Sequence, residues 1–479
     1  MTRVASSPRE SASVVENRAQ LARHGAPAAT GRGAVGYLDV VGYREVVPST
    51  TLREEFVPFA APDIGDAEIE AVVEALRSGW LTTGPRAAAF EAEFAAYLQA
   101  MAGERSEATG PAHAVALNSA TAGLHLALEA CGIGPGDEVI VPTWTFTATA
   151  EVVRYLGAEP VIVDVDPDTL NLDLRLAAAS VTGRTRALIP VHFAGLPLER
   201  TALADLAQAH GLAVVEDAAH CFPASSGGLP VGLGASDAVV FSFYATKTMT
   251  TGEGGMMLTH DERLAHRVKT MRLHGISRDV FDRYATPGAA WAYEVVAPGY
   301  KYNLTDPAAA MGRVQLARAA AMRDRRAAIA ARYDEAFAGL PVRRPAHPPE
   351  PAASTAPVDD QILPAAPGDE PAAGGSTAGA SADVHAWHLY VLRLTEDAPI
   401  GRDAFIAQMA TTCAIGCSVH FIPLHRHPYW RERYDLRKRA YPAAESAFAG
   451  AVSLPLSSAL TDTQVERVID AVRLLLEAA

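Results

Sequence analysis

Short apolar runs and helix-like periodicity alternate along residues 56–305 of the chain. Runs such as EVIVP (138–142) and AVVFSF (238–243) are typical of buried strands. The segments between them repeat apolar residues at the spacing of amphipathic helices. Apolar strands separated by helices indicate a mostly parallel sheet that is covered on both faces. The pattern therefore predicts an α/β fold, and ligands in such folds bind beyond the carboxyl ends of the strands.

The first predicted helix is DAEIEAVVEALRSG (66–79), in which Asp66 is the expected N-cap. Its apolar residues share one helical face, namely Ile69, Val72, Val73 and Leu76. The other elements predicted in this region are the helices ATAGLHLALEACG (120–132) and RTALADLAQAHG (200–211) and the strands EPVIVDVD (159–166), RALIPVHF (186–193) and LAVVED (212–217). We expect residues 56–305 to form one large domain.

A different pattern follows Thr305. Residues 306–340 predict a long helix, and residues 345–384 are rich in Pro, Ala, Gly and Ser, which is typical of a flexible insert. The later predicted elements are the strands HAWHLYVLRL (385–394) and CSVHFIPLH (417–425) and the helices RDAFIAQMA (402–410) and 461–478. We interpret residues 306–479 as a small C-terminal α/β domain. Residues 1–55 lack sustained periodicity and are predicted to be a disordered extension.

Composition and charge narrow the classes of function. The chain has 479 residues and a formal net charge of −14, which argues against nucleic-acid binding because a phosphate backbone needs a clustered basic face. No run reaches the roughly 18–20 apolar residues of a membrane span, and the N-terminus lacks the apolar core of a secretory signal. The four cysteines fit reduced thiols better than a disulfide framework. We expect a cytoplasmic enzyme.

One isolated lysine marks the candidate chemistry. Lys247 follows the apolar run AVVFSF, and no further basic residue occurs before Arg263. Asp217 closes the strand LAVVED, so the two side chains would open onto one crevice if the strands share a sheet. A partly desolvated lysine has a lowered pKa and can act as a Schiff-base nucleophile. An ordinary salt bridge between the two residues would explain them equally well.

Two further segments point to the same crevice. NSATAGLHLAL (118–128) places small residues at a helix start, where the amides of Ala120 and Thr121 could bind a phosphate; N-capping alone would explain one such residue. WTFTAT (144–149) offers Trp144 and Phe146, each of which could stack on a planar ring or belong to the core. A phosphate seat, an aromatic lid, a carboxylate and a lysine are together the requirements of pyridoxal 5'-phosphate (PLP).

These segments resemble those of the sugar aminotransferases of the DegT/StrS family, which have the fold-type I architecture of aspartate aminotransferase. The resemblance runs from about residue 56 to the end of the chain and leaves out residues 345–384. Its landmarks are SGWLTTGP (78–85), NSATAGLHLAL (118–128), GDEVIVPTWTF (136–146), VVEDAAH (214–220), FSFYATKTMTTGEGG (241–255), RLHGISRD (272–279), APGYKYNLTD (297–306), AWHLYVLRL (386–394) and VHFIPLH (419–425).

The resemblance implies a role for each matching residue. Lys247 would form the Schiff base with PLP, and Asp217 would bind the pyridine nitrogen. The other expected cofactor contacts are Phe146 and His220 at the ring and Ala120, Thr121 and Ser242 at the phosphate. Asn303 would complete the phosphate site of a neighbouring subunit, which implies a homodimer with shared active sites. His420 would approach the sugar substrate.

The implied activity is transfer of an amino group from an amino acid, glutamate, to a nucleotide-linked keto sugar. SATAG, EDAAH and APGYKYNL are most similar to the enzyme that forms UDP-4-amino-4-deoxy-L-arabinose, and aminotransferases for 4-keto-6-deoxy-hexoses are close competitors. Thr248 stands where the family commonly has asparagine, which leaves the substrate open.

Three alternatives remain at this point. A sugar dehydratase of the family would carry histidine in place of Lys247, and a regulator with this fold would be expected to lack Lys247 or Asp217. A metal site could use Cys413, Cys417 and His420, or His420, His425 and His427, although the spacing of the two cysteines does not match the usual paired cysteine motifs. No metal is therefore expected. Arg272 and Lys301 could supply positive charge for a diphosphate or be ordinary surface cations.

Overall fold

The computed structural model describes residues 56–108, 110–277, 293–348, 383–437 and 440–477. The predicted disordered extension (1–55) and most of the predicted insert (345–384) lie outside these residues. No helix of the described residues is long and apolar enough to cross a membrane.

A seven-stranded sheet lies at the centre of residues 113–259. A separate short hairpin is formed by β6 and β7. In chain order, the strands of this region are β1 (His113–Leu117), β2 (Glu138–Pro142), β3 (Glu159–Val163), β4 (Thr185–Leu188), β5 (Ala213–Asp217), β6 (Ser225–Ser226), β7 (Leu229–Pro230), β8 (Ala238–Ser242) and β9 (Gly255–Thr259). The sheet order is β1-β9-β8-β5-β4-β2-β3, and only the pairs that contain β9 are antiparallel. The predicted mostly parallel sheet is confirmed, and six strands end at the same edge.

Helices cover both faces of this sheet. Those in this part of the chain are α1 (Asp66–Arg77), α2 (Pro85–Ala102), α3 (Ala120–Ala130), α4 (Ala148–Tyr155), α5 (Leu174–Ala179), α6 (Arg200–His210) and α7 (Glu262–Met271). Helices α3, α4 and α7 pack on the face that carries Val215 and Val240. Helices α2, α5 and α6 pack on the opposite face, against Phe241 or Val214. Neighbouring strand residues thus face opposite helix layers, as the pleat of a strand requires.

A smaller antiparallel sheet follows, with the order β10-β11-β12. The elements of this part are α8 (Asp306–Ala336), β10 (Val342–Arg343), β11 (Tyr390–Leu394), α9 (Arg402–Thr411), α10 (Pro428–Arg433), α11 (Pro442–Gly450), β12 (Ala451–Leu454) and α12 (Asp462–Leu476). Helix α8 joins the two cores, because Leu316 packs in the core of the large sheet and Tyr333 in that of the small sheet. The division into domains at residue 306 stays a prediction.

The structure corrects three local predictions. Helix α1 begins at Asp66 after Gly65, whose N–H is bound by the Glu68 carboxylate at 2.9 Å, so Asp66 is not the N-cap. The apolar face of α1 is not its buried side, because Ile69 and Leu76 are each more than half exposed, whereas Glu68 is 1% exposed. Glu68 is buried because it accepts hydrogen bonds from Gln315 and Arg318 of α8. A buried carboxylate with these partners overrides the apolar pattern.

The other two corrections concern the predicted C-terminal strands. The predicted strand 385–394 is a strand only from Tyr390, and residues 417–425 form no strand. In the latter segment only Ser418 makes an isolated bridge, to Ser453 of β12. The chain instead turns into a short 3-10 helix (Leu424–Arg426) that packs beside the end of β2.

Candidate active site

Asp217 is the last residue of β5, and its side chain is buried. Thr149 donates its hydroxyl to Oδ2 at 2.8 Å, and the Ala219 N–H donates to Oδ1 at 3.1 Å. Burial raises the pKa of Asp217, while these two hydrogen bonds and the charge of Lys247 oppose the rise. A buried carboxyl group of this kind favours a cationic partner at the same strand edge.

Lys247 lies in the turn after β8, where its N–H donates to the carbonyl group of Tyr244 at 2.9 Å. Its side chain is half-buried, and it forms no ion pair with any carboxylate of the described residues. Burial lowers the pKa of the amine to about 8, and the negative charge of Asp217 works in the opposite direction. The two predicted residues are therefore brought into one electrostatic environment without the direct salt bridge that the sequence left open.

The start of α3 packs directly on β9. A side chain at Gly255 would place its Cβ 2.6 Å from Ala120 N, so only glycine allows this approach. On the next turn, a Cβ at Gly123 would lie 2.6 Å from the Val240 side chain. Both glycines hold the first turn of α3 close to the sheet, which fixes where its amides point.

The predicted phosphate residues surround this contact. Ser242, Gly255 and Leu117 are register partners across β8, β9 and β1, and α3 begins three residues after Leu117. Ser119 caps the helix by accepting the Ala122 N–H at 3.1 Å. The amides of Ala120 and Thr121 have no acceptor among the described residues. Free amides at a helix N-terminus beside a serine hydroxyl form a suitable seat for a phosphate group.

The two aromatic candidates separate in the structure. Trp144 is fully buried, with its ring 5.9 Å from Phe193 in an edge-on contact, so it is a core residue. Phe146 is 58% exposed and lies 5.9 Å from Phe421, at the mouth of the crevice. Of these two aromatic residues, only Phe146 is placed to cover a ring bound in the crevice.

Two predicted histidines border the crevice. His220 is buried, stacks on Phe421 at 5.6 Å, and has a pKa well below its ordinary value because of burial and the charge of Lys247. His420 is bonded through Nδ1 to Ser453 at 3.0 Å and stacks on Phe59. Burial and Lys247 lower the pKa of His420 to about 3. Both rings are therefore neutral near Lys247, although the role of His420 toward a substrate stays a prediction.

Asn303 lies beside β1 of its own chain. Its backbone bridges to Leu117, and its side-chain amide donates to Thr83 at 2.7 Å. The same region is fixed by the buried Asp306, which accepts the N–H groups of Gly84 (2.8 Å) and Ala87 (3.0 Å). The motifs SGWLTTGP and YKYNLTD thus meet in space. Whether Asn303 also reaches a partner's phosphate stays a prediction.

Several residues at the site were not assigned from the sequence. Thr149 contacts Asp217, and Phe421 and His388 contact His220. Thr149 lies in the segment WTFTAT, and the other two residues lie within landmarks of the resemblance. Arg272, in contrast, is buried in an ion pair with Glu91 and is bound to the carbonyl group of Ala116, so it is a structural cation.

Glu216 precedes Asp217 and points to the other face of the sheet. Its carboxylate pairs with His192 at 2.6 Å, and the two line a cavity of about 490 Å³ beside α6. That cavity contains none of the predicted site residues. The described residues also contain no cluster of His, Cys, Asp and Glu that could hold a metal ion.

The geometry fits PLP. The unpaired amides of α3 and the Ser242 hydroxyl suit its phosphate, Asp217 suits a protonated ring nitrogen, and Lys247 suits its aldehyde. The contacts come from the ends of three strands, β1, β5 and β8, at one sheet edge, which is where this class of fold binds ligands.

Comparison with known proteins agrees with the geometry. Residues 62–473 match the model of the DegT/DnrJ/EryC1/StrS aminotransferase family. The chain is 42% identical over 428 residues to the spore coat polysaccharide biosynthesis protein SpsC of Bacillus subtilis, covering 89% of this chain and 99% of that protein.

Solved structures extend the comparison. Spr1654 from Streptococcus pneumoniae in its PLP form is 31% identical, covers 88% of this chain and 98% of its own, and superposes with a TM-score of 0.72. DesV of S. venezuelae, solved in complex with a ketimine intermediate, is 34% identical with a TM-score of 0.70, covering 86% of this chain and 95% of its own. The fold-type I architecture and the PLP cofactor follow. The chain belongs to the DegT/DnrJ/EryC1/StrS family of PLP-dependent sugar aminotransferases.

Proposed function

We propose that the protein moves an amino group from glutamate to a nucleotide-linked keto sugar and that Lys247 and Asp217 are its catalytic residues. The observation that supports this most strongly is the placement of both residues at one sheet edge, beside the unpaired amides of α3. PLP, when bound, supplies an electron sink for the proton removal that amino transfer requires.

Lys247 is suited to hold and move that proton. Because the pKa of its amine is about 8, part of it is neutral near neutral pH and can accept a proton and later return it. Asp217 is suited to keep the ring nitrogen of the cofactor protonated, since burial makes an unpartnered carboxylate unfavourable. Phe146 and His220 would enclose the ring from the crevice side.

The substrate class rests on the relatives and on the motifs. SpsC acts in the biosynthesis of a spore coat polysaccharide, which supports an amino sugar made for a glycan. The similarity of SATAG, EDAAH and APGYKYNL to the enzyme for UDP-4-amino-4-deoxy-L-arabinose makes a UDP-linked 4-keto-pentose the first sugar to test. A homodimer, in which Asn303 completes the partner's phosphate site, is part of the proposal.

A spectrum of the purified protein tests this function. With PLP added, we expect a visible absorption band that bleaches with glutamate and returns with one keto-sugar nucleotide from a panel of pentoses and 6-deoxy-hexoses. Lys247→Ala should show neither change. The proposal would be contradicted if no amino acid bleached the band, or if no keto-sugar nucleotide restored it.

A further inference from the structure

A buried arginine lies behind the site. Arg326 of α8 is 3% exposed, and its Nη1 donates to the carbonyl groups of Leu456 (2.8 Å), His388 (3.3 Å) and Trp387 (3.4 Å). It forms no ion pair with a carboxylate of the described residues, and its Nε has no partner there. Burial lowers its pKa to about 10, so the guanidinium remains charged at neutral pH.

A buried charge held only by carbonyl groups is costly. Apolar residues of similar volume often replace buried ions without loss of stability, so stability alone does not explain Arg326. The charge does, however, fix the position of three carbonyl oxygens on two segments that are distant in sequence. One of these segments leads into β11, and the other follows β12.

The backbone that Arg326 holds is unusual. Trp387 has φ of 50°, a left-handed conformation that residues other than glycine adopt only where neighbouring contacts enforce it. Its N–H donates to Nδ1 of His385 at 2.8 Å, and its indole ring stacks on that imidazole at 4.0 Å. Arg326 thus bonds the carbonyl group of Trp387 and His385 bonds its N–H, so both backbone polar groups of this residue are held.

The held segment presents one side chain to the active site. His388 is 5% exposed, and its ring centre lies 4.4 Å from that of His220. The Nδ1 atoms of both rings are buried and have no hydrogen-bond partner. Packing, and not a hydrogen bond, therefore sets the orientation of His220 on this side, with Phe421 on another.

We propose that Arg326 and His388 act as one positioning unit: the guanidinium holds the backbone of residue 388, and the His388 ring holds His220 against the cofactor. This inference rests on the proposed function, in which His220 lies beside the cofactor ring. Neither residue reacts; each acts through His220.

The test compares Arg326→Met, His388→Ala and the double variant as holoenzymes. Because a small misplacement beside a reacting group is costly, each single variant should lower kcat roughly 10- to 100-fold with KM changed less than about 3-fold. The double variant should be no slower than the slower single variant, since the residues act as a unit. Arg332→Met is the matched control, because Arg332 lies on the same helix and pairs with Asp462 and Glu466 at the surface.

A second readout does not depend on turnover. In the cofactor-free protein labelled with ¹⁵N-histidine, the imidazole signal of His220, assigned with His220→Gln, should shift in Arg326→Met and stay in place in Arg332→Met.

His388→Gln, which keeps volume and a polar tip, should recover part of the activity that His388→Ala loses. If Arg326→Met does not fold, the two His388 variants carry the test.

Multiplicative losses of kcat in the double variant, or an unmoved His220 signal together with full activity, would overturn the positioning unit. These outcomes are distinct from failure of the proposed function, in which the wild-type holoenzyme transfers no amino group at all. The His220 signal would still report on the positioning in that case.

Discussion

At the scale of the residue, burial shifts the pKa values of the two proposed catalytic groups in opposite directions. It lowers the pKa of Lys247 to about 8 and raises the pKa of Asp217. Both shifts reduce the charge that the crevice holds before any cofactor binds. A cofactor with an aldehyde and a basic ring nitrogen matches both groups. The aldehyde reacts with a neutral amine such as that of Lys247, and the protonated ring nitrogen is the cationic partner that the buried Asp217 carboxylate needs.

The burial of Lys247 predicts a pH-dependent stability. Because the folded pKa is below the ordinary 10.5, the cost of burying the ammonium is fully present below pH 8 and is lost as the pH rises towards 10.5. Cofactor-free Lys247→Met should therefore be more stable than wild type at pH 7, by at most about 3 kcal/mol, and the gain should shrink by pH 9.5. Urea unfolding at both pH values measures this.

Lys269→Met is the control for that measurement, because Lys269 is partly exposed, 3.7 Å from Glu91. It should change stability by less than about 0.5 kcal/mol at either pH. Equal gains for Lys247→Met at pH 7 and pH 9.5 would show that the amine is not desolvated.

At the scale of the element, the contact between β9 and α3 determines where the phosphate seat lies. Gly255→Ala would push its Cβ into the backbone of Ser119 and Ala120, which cannot rotate away. We expect a loss of roughly 1–3 kcal/mol in stability and a clear rise in the Kd for PLP. Gly134→Ala, which meets no atom within 4 Å, should change neither quantity. Unchanged PLP affinity in Gly255→Ala would mean that α3 does not bind the phosphate.

Element prediction from the sequence succeeded where burial alone decides. EVIVP became β2 with the predicted bounds, and the runs around Asp217 and Lys247 became neighbouring strands β5 and β8. Helix α1 was also predicted, but its buried side, which carries Glu68, was not, since the partners of that carboxylate lie about 250 residues further along the chain.

The candidate site divides in the same way. Lys247 and Asp217 could be predicted because strand ends in a parallel sheet converge. Arg326 and His388 could not, because a contact between a helix residue and a distant loop leaves no periodic pattern in either segment.

At the scale of the whole molecule, α8 connects the large sheet, the small sheet and the positioning unit. The same helix begins at Asp306, which fixes the loop before α2 beside Asn303. Changes along this one helix can therefore reach both the loop and the active site.

Mixed dimers test whether active sites are shared. If Asn303 serves the partner's phosphate, a heterodimer of Lys247→Ala with Asn303→Ala should contain one intact site and recover about half of wild-type activity, whereas each homodimer stays low. The control mixes Lys247→Ala with wild type. Activity that does not exceed the sum of the separate variants would place Asn303 at the site of its own chain, beside Leu117.

The most direct measurement reduces the PLP-loaded protein with borohydride, digests it and maps the modified peptide by mass spectrometry. The account predicts one cofactor adduct, on the lysine of FSFYATKTMTTGEGG, and none in Lys247→Ala. An unmodified Lys247 in PLP-loaded protein, or an adduct on another lysine, would contradict it.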